Sequence, residues 1–241
     1  TNESLEIIDD PVLIYCKPHL DIIPSPVACL VTKISPQIAD REGLKEPEFI
    51  EKIYNEMIKP GTCSVGYNSI KFDDEFTRFT LYRNFFDPYE REWKNGNTRW
   101  DIINMMRLAR ALRPEGIEWP NHDDGKPSFK LEDLTRANGI EHSGAHDALA
   151  DVYATIELAK LVRLKQPRLF HYIYRIRKKN EVSRIVNLET RDPVFCVSGL
   201  LPHSNMYGSI ILPLIRHPIN KNAIICWDLS KDPSLMIDSD M

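Results

Sequence analysis

What this 241-residue chain lacks narrows the field before anything it contains. No apolar run approaches the ~20 residues that span a bilayer, so a transmembrane role is excluded and no membrane partner is expected. There is no CxxC pair. The cysteines are Cys16, Cys29, Cys63, Cys196 and Cys226, odd in number and widely spaced. That argues against a zinc site and for reduced thiols in a cytosolic protein. Positive charge is not in excess: 31 Lys and Arg stand against 35 Asp and Glu, a net −4. This is no prior for nucleic-acid binding, although an acidic metal centre can coexist with a local basic stripe. Internal repeats and low-complexity tracts are absent, and no signal peptide opens the chain. It begins at Thr1 rather than methionine. No first strand carries the Asp-x-Glu pair that the motifs below would need, so the chain is expected to be part of a larger enzyme.

What is present reads as strands alternating with helices, hence an α/β sheet with helical layers. Val12–Tyr15 has strand character, and Ala28–Val31 reads as a second extended piece. Ser35 as N-cap with Pro36 behind it predicts a short helix to Gly43. Phe49, Ile50, Ile53, Tyr54 and Met57 recur at helical spacing over Pro47 to Ile58. Cys63–Tyr67 is a strand, with a helix from about Asp73 to Asn84. Arg99-Trp100-Asp101 leads into a helix through Leu112, and Leu131–Asn138 is another. A long helix runs from Asp147 to about Lys165, with Leu149, Val152, Ile156 and Ala159 on one face. After Pro167 the texture turns β-rich: Pro193–Val197, Ser209–Leu212 and Ala223–Trp227 are strand-like, separated by turns. The expected division is residues 1–166 and 167–241.

The chemistry concentrates in two blocks, Phe72-Asp73 and His146-Asp147-Ala148-Leu149-Ala150-Asp151. If a helix starts at Asp147, Asp151 lies in its first turns and His146 on the preceding loop. On one continuous helix, residues five apart would diverge by about 140°. On a loop, His146 can curl over a cleft and take a proton from a metal-bound water. Asp73 could bring a second carboxylate, and two divalent ions so held can activate water and stabilise a phosphodiester's leaving oxygen. Mg²⁺ suits carboxylates and water. Bland alternatives stand beside this: Asp147 and Asp73 as N-caps, His146 as a surface residue, Asp74 and Glu75 as favourable first-turn charges. A basic run from Arg163 to Arg184, interleaved with Phe170, Tyr172 and Tyr174, reads either as a solvated helix and linker or as a phosphate-tracking surface with stacking groups.

Order and spacing favour the sharper reading. Gly66-Tyr67-Asn68-Ser69-Ile70-Lys71-Phe72-Asp73 resembles the second motif of the DnaQ-like, DEDDh 3′→5′ exonucleases. Ala145–Asp151 resembles the third, and Thr32-Lys33-Ile34-Ser35 is similar to a further segment with two departures. Within the family the stretches Tyr82–Tyr89, Ala111–Ile117, Ala137–Ser143 and Gln166–Phe170 resemble the bacterial exonuclease I group. The resemblance implies a ribonuclease-H-like exonuclease domain, here without its first strand, followed by a truncated SH3-like β domain. It implies Asp73 and Asp151 in the metal cluster, with Mg²⁺ (Mn²⁺ as substitute), and His146 as general base. The substrate implied is single-stranded DNA, degraded to nucleoside 5′-monophosphates in DNA repair and recombination. Strand contacts would fall to Arg78, Tyr89, Trp93, Arg107, Phe129 and Lys130. Phe129 and Trp93 could equally be packing residues. Arg113 and Tyr172 would take the acidic C-terminal tail of single-stranded-DNA-binding protein. A monomeric, cytoplasmic, nucleoid-associated enzyme is expected. A non-catalytic module that binds single strands or a partner is the alternative, and the fragment itself, without the first-motif Asp and Glu, is expected to be inactive.

Overall fold

The computed structural model describes residues 1–142 and 147–237. The first part is built on β1 (Cys63–Gly66) and β2 (Thr98–Asp101). They pair in parallel, Cys63 opposite Thr98 and Gly66 opposite Asp101. Both chains leave the sheet at the same end. β1 passes through a left-handed Asn68 into α4 (Asp73–Arg83), and β2 runs directly into α5 (Ile102–Leu112). This is the edge where an open α/β sheet offers its binding crevice.

Ahead of β1 lie α1 (Pro26–Thr32), α2 (Pro36–Glu42) and α3 (Glu46–Met57). After α5 come α6 (Leu131–Ala137), α7 (Ala148–Lys165), α8 (Pro167–Ile176) and α9 (Lys179–Ile185). The core gathers on α5, whose Ile102, Met105, Met106 and Ala109 are inaccessible to solvent. Leu134 of α6, Ala154, Leu158 and Val162 of α7, and Phe170 and Ile173 of α8 close around it. Alanines at 109, 154 and 159 let the helices approach closely. Trp100 on β2 seals the join, edge-on to Phe170 at 5.5 Å and to Tyr174 at 5.3 Å.

The second part is an antiparallel sheet of β3 (Val194–Val197), β4 (Gly208–Arg216) and β5 (Ile224–Asp228), followed by α10 (Ser234–Ile237). Pro213 sits within central strand β4, where it has no N–H to give. The β4–β5 register shifts between Pro213 and Ile215, which accommodates it.

Five expectations change. The stretch after Pro167, expected to be β-rich, opens with α8 and α9, because Phe170 and Ile173 recur at helical spacing and pack into the first core; strands begin only at Val194. Val12–Tyr15 forms no strand; only Cys16 bridges, to Leu44, while Val12 and Leu13 stay exposed. A strand needs a neighbour, and no described strand lies beside it. Ala28–Val31 is helical rather than extended. Ser25 caps α1, with Pro26 at the first position, repeating the Ser35-Pro36 signal of α2. That local cap outweighs the β-propensity of Val27, Leu30 and Val31. α7 buries Ala154, Thr155, Leu158, Ala159 and Val162, and leaves Val152 exposed. Its packing stripe is set by α5, α6 and α8, not by its largest side chains. Of the aromatics in the basic run, Phe170 is core and Tyr174 packs against it, so only Tyr172 faces outward.

Candidate active site

The crevice end of the sheet is organised by Asp101, the last residue of β2, which is 4% exposed. Its carboxylate accepts from the N–H of Asn68 (2.8 Å), Ile70 (3.2 Å) and Ile103 (3.1 Å). One side chain thus caps α5 and holds the turn that carries the chain from β1 into α4. The Tyr67 hydroxyl donates to the Phe129 carbonyl (2.6 Å), fixing the same turn to the segment before α6. Burial pushes the Asp101 carboxyl up, and the three N–H groups work against it.

Asp73 opens α4 beside this turn. Burial raises its pKa, with Asp74 and Asp101 adding repulsion. Asp74 is not a simple first-turn charge. It is buried, paired with Arg91 (2.7 Å) and Arg99 (2.5 Å). Burial pushes its carboxyl up, but the two arginines overcome this and hold the pKa below the usual range. Arg91 is 1% exposed, so α4 is locked to β2 through a desolvated ion cluster that Glu92 extends to Arg78.

Asp151 lies in the first turn of α7, whose N-cap is Asp147, accepting from the N–H of Leu149 and Ala150. Its partner is His142, Nε2 to Oδ1 at 2.7 Å. His142 is itself held by Thr135 at 3.3 Å, with a side chain only 6% exposed. Sequence reasoning missed His142. It sits in the quoted stretch Ala137–Ser143, but no motif singles it out, and only folding brings α6 to the start of α7. His146 lies outside the described residues. Among those described, no group of three or more His, Cys, Asp or Glu side chains is arranged to hold a metal ion. Asp73 and Asp151 are two carboxylates of the kind a divalent ion takes, and a complete site would need further donors beside them.

The expected strand-contact residues divide by exposure. Tyr89 (56%) and Trp93 (66%) present open aromatic faces. Arg78 lies over Tyr89, its guanidinium 5.2 Å from the ring, and is engaged two-pronged by Glu92. Lys130 is exposed at the start of α6. Phe129 is buried in the core, ringed by Tyr207 and Arg110. Arg107 is also buried, and burial lowers its pKa; the guanidinium remains charged. Arg113 ends α5, exposed, and Tyr172 lies on α8 with Arg175 over its ring.

A family model described as Exonuclease matches residues 1–159, and one described as Exonuclease I SH3-like domain matches 177–241. Exodeoxyribonuclease I of Haemophilus influenzae is 50% identical over 232 residues, 96% of this chain and 49% of the relative. That of Escherichia coli K12 is 48% identical over 242 residues, 100% of this chain and 51% of the relative. The chain spans about half the length of the curated relatives it matches. Among solved structures, E. coli exonuclease I in complex with a dA16 oligonucleotide superposes with TM-score 0.96 at 48% identity, covering 100% of this chain and 51% of that one. A zinc-ion-bound E. coli exonuclease I–single-stranded DNA complex gives 0.94 at 46%, covering 100% and 51%. A structure of single-stranded-DNA-binding protein and exonuclease I with an inhibitor gives 0.95 at 47%, covering 100% and 52%. With both family models in chain order and a mixed α/β fold that follows solved relatives over its whole length, the chain belongs to the exonuclease family and carries an exonuclease I SH3-like domain in its second part.

Proposed function

We propose that this chain serves a metal-dependent 3′→5′ exonuclease that shortens single-stranded DNA to nucleoside 5′-monophosphates in repair and recombination. The observation that carries the reading is Asp151 in the first turn of α7, oriented by the buried His142, inside a segment matched by the exonuclease family model. Asp73 and Asp151 would serve as ligands for Mg²⁺, with Mn²⁺ as a substitute, and His146 as general base. Tyr89 and Trp93 would stack on unpaired bases, and Arg78, Arg107 and Lys130 would meet phosphates. Phe129 would support that surface from beneath. The complexes of relatives with an oligonucleotide and with single-stranded-DNA-binding protein support the choice of partners. Arg113 and Tyr172 would take that protein's acidic tail. The reading includes a monomer acting in the cytoplasm at the nucleoid; among the described residues no helix is long and apolar enough to cross a membrane.

What this chain's own residues contribute is orientation. Asp101 fixes the turn before Asp73, and His142 fixes Asp151, so both carboxylates are held by groups that do not react. The test is digestion of a 5′-labelled single strand in Mg²⁺. In a longer form that also carries the Asp-x-Glu first strand, a ladder shortening from the 3′ end, lost in Asp151→Ala, is the expected result, while residues 1–241 alone should give little or none. A second reading, a binding module without catalysis, is favoured by one observation: the described residues offer no three-donor cluster. Retained binding with no ladder would select it, and absence of both would reject the proposal.

A further inference from the structure

The seam between the two parts carries a feature that neither family match assigns. Arg107 on α5 is 7% exposed, and its Nε has no partner among the described residues. One end is steadied by Asn104, NH1 to Oδ1 at 2.9 Å. The face of its guanidinium is covered by Tyr207, from the loop before β4, with Cζ 4.3 Å from the ring centroid. That ring is itself held. Phe129 meets it edge-on at 5.8 Å and His203 at 5.0 Å, and the His203 Nε2 bonds the Pro127 carbonyl at 2.7 Å. The backbone beneath it is constrained too. Met206 and Tyr207 both take left-handed conformations, φ 53° and 59°, which non-glycine residues adopt only when surroundings impose them. The Tyr207 carbonyl accepts from Ser198 N–H (2.8 Å), and its own N–H donates to Pro202 O (3.2 Å). In the same loop, a Cβ at Gly199 would fall 2.7 Å from Lys71 Nζ and 3.4 Å from Arg107 NH1. The loop thus lies close against the ends of both cationic side chains.

We propose that Tyr207 is a positioning residue, through which the β-rich part presents the Arg107 guanidinium, with Lys71 beside it, to a phosphate of the bound single strand. This rests on Arg107 meeting phosphate, as in the function proposed above. A guanidinium stacked on a ring loses its faces but keeps the N–H groups on its edge, the geometry that meets phosphate. Holding it so before the strand arrives lowers the ordering cost of binding. The β-rich part then does more than follow the exonuclease part: its Ser198–Tyr207 loop completes a subsite whose charged groups lie on α5 and on the turn before α4.

The experiment is equilibrium binding of a fluorescent oligo(dT) to the 241-residue chain across a salt series, with Tyr207→Phe, Tyr207→Leu, Arg107→Ala and the Tyr207→Leu/Arg107→Ala double variant. Phenylalanine keeps the ring face but loses the hydroxyl, which also hydrogen-bonds Arg107, so Tyr207→Phe should bind between wild type and Tyr207→Leu. Tyr207→Leu should weaken binding by roughly three- to tenfold. It should also flatten the dependence of log K on log salt by about 0.7, the loss of one phosphate contact on a single strand. The double variant should be no weaker than Arg107→Ala alone, because Tyr207 acts through Arg107. If Tyr207→Leu loses its cooperative thermal transition, Tyr207→Met takes its place with the same expectations. Wild-type binding by Arg107→Ala would overturn the phosphate reading of Arg107 and this proposal with it. Weakened binding by Arg107→Ala with additive Tyr207 effects, or with Tyr207→Phe as weak as Tyr207→Leu, would overturn the positioning role alone.

Discussion

Asp73 and Asp151 are both carboxylates near the start of a helix, yet their surroundings ask different things of them. Burial and the neighbouring carboxylates lift the pKa of Asp73, so its ionised form opposes folding. A carboxyl whose folded pKa exceeds its unfolded value contributes stability below the unfolded value, about pH 4, and loses it as pH rises through the folded value. Asp73→Asn should therefore be more stable than wild type at pH 7. That difference should shrink as pH falls toward 4, and nuclease activity should be lost. Urea unfolding across pH, beside the digestion assay, checks both halves. Asp151 instead depends on a neighbour. His142→Ala should lower turnover roughly tenfold, the loss typical of a missing orienting partner, with binding of single strands unchanged. Equal loss of affinity would show His142 acting on the strand itself. His146→Ala should cost roughly 10²–10⁴ in turnover of bound DNA, the range of general acid–base catalysis. Single-turnover kinetics would separate that from a loss of affinity.

The elements meet at buried charges. Asp101 serves three N–H groups on two segments, so Asp101→Ala leaves the turn before α4 and the start of α5 both uncapped. The expected loss is about 2–3 kcal/mol, from a cap and from desolvated donors left unpaired. Urea unfolding should show a lower midpoint with an unchanged slope; a smaller loss than Ser25→Ala would remove Asp101 from this role. Asp74→Ala should cost more, about 3–5 kcal/mol, because it strands the buried Arg91 charge. The capping rules that place α2 and the start of α7 hold equally for α1. Ser25-Pro26 was legible beside Ser35-Pro36, and the β-branched and leucine side chains between obscured it.

At the scale of the whole chain, apolar surface is unevenly covered. Ile7, Ile8, Val12, Leu13, Leu20, Ile22, Ile23, Val27 and Leu30 are all more than half exposed, clustered in sequence ahead of α2. Exposed apolar segments of this kind favour association. The isolated 241-residue chain, about half the length of its relatives, should self-associate as concentration rises, unlike the longer monomeric enzyme proposed above, and Val12→Lys/Leu13→Lys should reduce this without shifting the thermal midpoint by more than about 2 °C. Light scattering over a concentration series decides it. Oligomers that persist unchanged in the double variant would place the contact elsewhere.

The sequence by itself determined the order of most elements, the two acidic blocks, the capping of α2 and α7, and the family. Those depend on local spacing and on motifs that contiguous residues carry. It did not reveal that Val12–Tyr15 forms no strand, that Asp74 is buried between two arginines, or that Phe129 lies in the core. Nor did it reveal that His142 meets Asp151 or that Tyr207 covers Arg107. The pairings among them join residues on separate elements: nine positions for His142 and Asp151, seventeen for Asp74 and Arg91, a hundred for Arg107 and Tyr207. Periodicity reports which face of a helix is apolar. Which side chain meets which across the crevice is set by the packing of α5 against α6, α7 and α8, and by the loop that the β-rich part lays against α5.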